Sequence, residues 1–362
     1  MQAQTLLKAT CHRVPDKSPL TKVCSPGNNR CIVIGAGIAG ACVADSLARR
    51  GWHVTVLDAA SKPASGASGL PVGLYAPYQS ADNNFASQIT AIGVEFTQTL
   101  AARLLTKGID WQHSGLTTRK YGEADVSRAD AGWIKPSALV HACLSQAGVT
   151  WRGDCDVKRI VAQGAFWALI GHADQVIAQA DMVVVAASNQ SAELLNTVPT
   201  RAKLNFQAVR GQTTYGDLHR SESKQTSPCP INGGGSYIET DSEWLIGATY
   251  DRDNLSLDPS IRDQVENFGR LENLVPNIAS SLKPAFERGL VKNWVGIRCA
   301  TTDRLPIVGE ILPGLWICTA MASRGLTFAP LCAELLAAQC QREELPLNPR
   351  LVKALSVQRY AK

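Results

Sequence analysis

The stretch 30–58, RCIVIGAGIAGACVADSLARRGWHVTVLD, constrains this chain more than any other. An apolar run at 31–34 leads into Gly35-Ala36-Gly37-Ile38-Ala39-Gly40. A periodic segment with Val43, Leu47 and Ala48 on one face follows. Then come Gly51, a second apolar run with Val54, Val56 and Leu57, and Asp58. The order is strand, tight turn, helix, strand, acid, which is the layout of a dinucleotide-binding βαβ unit. Gly35 permits the sharp turn. Gly37 has no side chain to hold a pyrophosphate off the backbone, and Gly40 lets the helix lie close to the sheet. The helix N-terminus offers N–H groups and positive dipole to phosphates. Asp58, 18 residues beyond Gly40, would accept hydrogen bonds from a ribose. The bland alternative is that the glycines serve only a turn, and the motif does not separate FAD from NAD.

At 362 residues the chain is long enough for two or three domains, or one with a large insertion. Its 45% hydrophobic and 19% charged content is that of an ordinary globular protein. A net charge of +5 permits a polyanionic partner without demanding one. The 11 cysteines lack C-x-x-C spacing and the six histidines do not cluster, so neither a disulfide framework nor a metal site is expected. Free thiols point to a reducing, cytoplasmic setting. No apolar run approaches the ~18 residues of a membrane span. Residues 1–29 read as a polar N-terminal extension with no secretory core.

After Asp58 comes a small-residue loop, Gly66-Ala67-Ser68-Gly69, continuing to Gly73. It reads either as a close backbone approach to a ligand or as a connector. Helices are predicted over 88–105, 136–146 and 326–341, and in part over 258–287. Strands are predicted within 111–121, 155–161 and 166–171. The apolar run 180–187 reads as a buried parallel strand that returns to the first sheet. Residues 204–250 look all-β, and 294–311 and 315–319 add late strands. The fold expected is α/β with an antiparallel insertion: a nucleotide domain built from discontinuous segments and a second sheet over the ligand.

Two late segments carry chemistry. Arg298 lies in an otherwise apolar strand and needs an anion, since an unpaired buried charge is costly. That anion is either an internal acid such as Asp303 or a substrate carboxylate held bidentately. Ala322-Ser323-Arg324-Gly325 stands between a strand and a long apolar helix. It is either a helix start capped by Ser323 or an N-terminus aimed at a cofactor ring.

Several segments together resemble the glycine/D-amino-acid oxidase superfamily of flavoproteins: GASG with its following glycine at 66–73, AVRGQ at 208–212, IGATYDR at 246–252, GIRCATTDRLPIVG at 296–309 and SRGLTFAPLCAELLAAQ at 323–339. More closely, the chain is similar to the FAD-dependent half of the bifunctional tRNA wobble-uridine enzymes, the MnmC family, across nearly all of 30–346. Leu70 stands where relatives often have Asn after GASG, and Ala187-Ser188 where many have A-x-G. The resemblance implies a Rossmann-like FAD-binding domain of 30–78, 137–203 and 297–345. It implies a substrate domain of 79–136 and 204–296, and a basic tail of 346–362.

FAD would lie against Gly35, Ala36, Gly37, Ile38, Ala39, Gly40 and Asp58, with Ala67, Ser68, Gly69, Gly73, Val157, Ala187, Ser323, Arg324, Gly325 and Leu326. Arg298 would hold a substrate carboxylate, with Tyr250 and Arg324 beside it and Tyr237 as a weaker candidate. Cys299 is either a buried structural thiol or, as in some members, a flavin attachment point. The implied reaction removes the carboxymethyl group of 5-carboxymethylaminomethyl-(2-thio)uridine. The family's methyltransferase half has no counterpart in the 29 residues before the first strand, so either a separate methyltransferase completes the modification or the chain does something else. tRNA would meet Arg119, Lys120, Arg201, Lys203 and the basic tail. Two other readings stay open: an oxidase or dehydrogenase of a free amino acid, and a non-catalytic flavin-binding protein.

Overall fold

The computed structural model describes residues 29–360 except 120, 121, 123, 219–228 and 253. The N-terminal extension up to residue 28, Lys120 and Lys362 lie outside the described residues.

The first sheet grows from β1 (Arg30–Ile34), α1 (Ile38–Ala48) and β2 (His53–Leu57), pairing in parallel as the opening stretch requires. Met182–Val185 returns parallel to the other side of β1, with Val183 opposite Ile32. Leu315–Thr319 follows beyond it, and Val149–Arg152 extends the β2 side. Ile307–Leu312 closes the far edge antiparallel. The apolar run 180–187 divides here: Val176–Ala180 belongs to a separate antiparallel sheet of three strands, and only 182–185 enters the parallel sheet. β1 is buried from Cys31 to Ile34, as a strand covered on both faces must be.

Helix Gly325–Gln341 packs against α1 and against helix Phe85–Leu104. Pro330, inside it, has no N–H for the Leu326 carbonyl. Thr97 fills the gap: its hydroxyl lies 2.8 Å from Leu326 O and 2.7 Å from Gly93 O. A Cβ on Gly93 would meet Thr327, so a glycine is what lets these helices close. Helix Phe85–Leu104 thus packs in the core of the first sheet, with Ile89, Val94, Leu100 and Ala101 buried there. This helix lies within 79–136, the segment expected in the substrate domain. The apolar face of this helix finds its partner more than 200 residues downstream, which local pattern does not reveal.

The second sheet is built around the long antiparallel ribbon of Gln207–Asp217 and Lys292–Ala300, in which Val209 faces Arg298 and Gly211 faces Gly296. Side chains alternate between its two faces. Arg210, Gln212, Thr214 and Asn293 point under helix Ile261–Leu274. There Arg210 forms a fully buried ion pair with Asp263, and Asn267 Nδ2 donates to Gln212 O at 3.1 Å. Arg210 also donates to the carbonyls of Ser256, at 2.8 Å, and Asp258, at 2.7 Å, fixing the loop before that helix. The opposite face turns towards the loop that holds Leu70 and Val72.

The C-terminal segment is folded rather than a free basic tail. Pro349–Leu355 is helical, and Leu347, Leu351, Leu355 and Val357 are buried. Arg359 is tied to Asp303 at 3.1 Å and to the carbonyls of Leu305 and Pro306. Its apolar residues recur among the charges, and that pattern outweighs the basic composition. No helix among the described residues is long and apolar enough to cross a membrane.

Candidate active site

The carboxyl ends of four parallel strands open on one edge of the first sheet, where open α/β sheets bind ligands. They lead to Gly35, to Asp58, to Ala187–Asn189 and to the turn 320–324. Gly35 takes φ +113°, and a Cβ there would lie 2.5 Å from Ala186 O. Gly37 precedes α1 and gives it no side-chain cap. Ser68 does so from a distance: Ile38 N–H donates to Ser68 Oγ at 2.9 Å, which pins the 67–69 turn onto the glycine loop. Asp58 folds back on the same loop, accepting from Ala36 N–H at 2.7 Å and Ala60 N–H at 2.8 Å. Each of its oxygens retains a lone pair for a ribose hydroxyl. Val157 is buried in the cluster with Ile34, Leu57 and Val185. Asn189 Oδ1 is buried without a partner just beyond Ala187.

A second group of residues meets this edge from the other sheet. Trp294 reaches the 67–69 turn: a Cβ on Gly69 would lie 3.5 Å from its Nε1. Four residues further along the same strand, the Arg298 guanidinium lies over Gly211, where a Cβ would come within 2.6 Å of its Cζ. Arg298 Nη1 is 3.5 Å from Thr249 O, and its Cζ stands 4.6 Å from the Tyr250 ring centroid. Asp303 is not its partner, because Thr301, Leu305 N–H and Arg359 engage that carboxylate. Burial lowers the Arg298 pKa and Tyr250 raises it; among the described residues no acid opposes the shift.

Arg324 is the second such group. Ala322 N–H donates to Cys299 O at 2.9 Å, which joins the 320–324 turn to the Arg298 strand. Arg324, not Ser323, is the residue that caps helix Gly325–Gln341, and it makes no side-chain cap bond. Its guanidinium lies 4.7 Å from the Tyr78 ring centroid. Burial lowers its pKa, Tyr250 and Tyr78 raise it, and the charge of Arg304 lowers it again. Gly325 sits against Ile38, and a Cβ on Gly73 would lie 2.8 Å from Leu326 Cδ1, so the turn, the glycine loop and the 66–73 loop converge. Tyr78, Trp294 and Asn189 are the site residues that motif reading missed. The available signal for Tyr78 was an aromatic in a polar loop just beyond Gly73.

Other candidates fall elsewhere. Tyr237 is buried among Ile231, Trp244, Ile246 and Leu271, and its hydroxyl donates to Glu239 at 3.2 Å. It belongs to the core under the helices, because strand alternation turns it away from the Arg298 face. Arg119 is paired with Asp125 at 2.8 Å and donates to Leu274 O. Arg201 and Lys203 are exposed. Cys299 is buried and its thiol is pushed up to about 12 by desolvation. A thiol this basic is a poor nucleophile near neutral pH, so no covalent bond from Cys299 to FAD is expected. Acid precipitation should leave a colourless pellet under a yellow supernatant; a yellow pellet would contradict this.

The residues at the strand edge fit a bound FAD. The bare glycine loop and the start of α1 suit a pyrophosphate, Asp58 a ribose, and Asn189 Oδ1 and the 67–69 turn the remainder. Among the described residues no group of three or more His, Cys, Asp and Glu could hold a metal ion.

The fold and this edge define a flavoprotein oxidoreductase: the chain matches the FAD dependent oxidoreductase family, DAO, over residues 30–129 and 117–339, and belongs to it. Among named relatives, a protein of Polaromonas naphthalenivorans is 40% identical over 90% of this chain and 59% of its own length. A protein of Polaromonas sp. strain JS666 is 40% identical over 95% of this chain and 61% of its own. Both are named tRNA 5-methylaminomethyl-2-thiouridine biosynthesis bifunctional protein MnmC. The chain therefore spans about three-fifths of these relatives. Glycine oxidase from Geobacillus kaustophilus shares the fold, with a TM-score of 0.73 at 20% identity, covering 92% of this chain and 100% of its own. L-proline dehydrogenase from P. horikoshii shares it at 0.75 and 16%, covering 93% and 98%.

Proposed function

We propose that this chain oxidises a glycine-type secondary amine, and that its substrate is 5-carboxymethylaminomethyl-(2-thio)uridine at the wobble position of tRNA, converted in the cytoplasm to 5-aminomethyl-(2-thio)uridine and glyoxylate. The observation that carries this reading is Arg298. It is a half-buried guanidinium with no acid against it among the described residues, in a sheet whose fully buried arginine, Arg210, is paired with Asp263. An uncompensated charge of this kind is retained where a ligand supplies the counter-ion.

FAD, when bound, supplies the two-electron acceptor for the CH2 beside the carboxylate. The protein's contribution is positioning. Arg298 fixes the carboxylate through paired N–H donors, and the ring of Tyr250 limits where the rest of the substrate lies. In balance, CH2–NH becomes CH=N as two electrons and two protons leave the substrate. Water then adds to the imine and releases glyoxylate and the primary amine.

The tRNA part is supported by the 40% identity to the MnmC proteins and by charge. Arg298, Arg324 and Arg304 gather at one site. A free glycine brings one carboxylate, whereas a nucleotide within tRNA adds phosphodiesters. A wobble base lies in a single-stranded loop and can be splayed into a pocket. Purified FAD-bound protein should release glyoxylate from tRNA of cells lacking this activity, and none from free glycine or sarcosine. Robust turnover of the free amino acids would replace this reading with that of an amino-acid oxidase.

A further inference from the structure

We propose that Tyr78 and Tyr250 form a stacking platform for the pyrimidine ring that carries the glycine unit, with Tyr78 as a specificity-determining residue. This deepens the reading above and rests on it.

Among the described residues three tyrosines have an arginine over the ring, and Tyr78 and Tyr250 are the exposed ones, Tyr360 being half-buried. Tyr78 is 38% and Tyr250 61% exposed, yet neither is loose. Each has an arginine guanidinium over its ring, Arg324 at 4.7 Å and Arg298 at 4.6 Å. A cation held over one face of a ring restrains it and leaves the other face for a flat partner. The Arg298 strand and the 320–324 turn are hydrogen-bonded together, so the two arginine–tyrosine pairs lie at a common opening.

The loop that carries Tyr78 is fixed before any ligand arrives. Tyr78 N–H donates to Thr90 Oγ1 at 2.8 Å, Ser80 N–H to Ser87 Oγ at 3.0 Å, and Asn84 N–H to Ser80 Oγ at 3.0 Å. These bonds anchor the loop to helix Phe85–Leu104, so little backbone ordering remains for binding. Neither tyrosine is needed to hold a glycine carboxylate, which Arg298 suits alone. What two partly exposed, cation-backed rings add is affinity for a planar heterocycle. Unstacked bases are bound in this way, on aromatic side chains and guanidinium planes.

The test compares two anticodon stem-loops on the FAD-bound protein. One carries 5-carboxymethylaminomethyluridine and the other its 5,6-dihydro form, whose saturated ring is puckered and stacks poorly. kcat and KM are read from glyoxylate release. The wild-type protein should favour the planar base by about tenfold in kcat/KM, mostly through KM. Tyr78→Ala should reduce that preference to about unity, while Tyr78→Phe, which keeps the ring, should preserve it. Loss of Arg324 positioning alone would slow both substrates equally and leave the ratio intact. A ratio unchanged in Tyr78→Ala, or no preference in the wild type, overturns the proposal while the wobble-uridine reading stands. No glyoxylate from either stem-loop with the wild-type protein overturns that reading, and the platform with it.

Discussion

Arg298→Ala should lower kcat/KM for the modified tRNA at least about a hundredfold, the scale expected when a substrate is no longer held in its reactive position. The protein should remain yellow after gel filtration. The guanidinium engages Gly211, Thr249 and Tyr250 on the second sheet, whereas Asp58 accepts from Ala36 and Ala60. Removing it also relieves a desolvated charge, so the variant should melt no lower than the parent. Arg298→Lys should recover little, since an ammonium cannot reproduce the planar two-donor fork. Flavin lost along with activity would show that this residue supports the cofactor rather than the substrate.

The largest effect on stability should come from Asp263→Ala. Asp263 and Arg210 are each almost completely buried, and removing the acid strands a guanidinium beneath helix Ile261–Leu274. Breaking a buried pair from one side costs about 3–5 kcal/mol. Urea unfolding should show a fall of that size. The double variant Arg210→Met with Asp263→Leu should regain most of it, because apolar replacement of both partners leaves no orphaned charge. A single variant as stable as the parent would mean that water reaches Arg210.

The parts legible from the sequence were those in which neighbours along the chain determine the outcome. The strand, turn and helix of 30–58 follow from residue spacing, and Gly35 takes the positive φ that its turn requires. The run of valines at 183–185 returns in parallel to β1 because it is apolar on both faces. What escaped depends on partners distant in sequence. Asp303 lies five residues from Arg298 yet is claimed by Arg359, 56 residues away. Ser68 was placed near the ligand as a small residue, but its hydroxyl serves the amide of Ile38, 30 residues back. Tyr250 and, more weakly, Tyr237 were candidates for the substrate pocket. Strand alternation buried Tyr237, and Tyr250, just beyond the strand Glu243–Gly247, remained at the opening. The basic tail was judged by its charges, although Leu347, Leu351 and Leu355 decide its packing.

The antiparallel ribbon has a further consequence for how this protein tolerates change. Arg210 and Arg298 sit on adjoining strands and project from opposite faces, one neutralised and one free for an incoming anion. Which arginine plays which part is settled by the parity of position along the strand and not by side-chain identity. Inserting or deleting one residue between Lys292 and Arg298 would keep every charge in the composition and turn Arg298 inward, against the polar layer beneath the helix. Two residues would restore the facing and shift only the reach. The reaction site should therefore be far more sensitive to odd-length indels in this ribbon than to even-length ones.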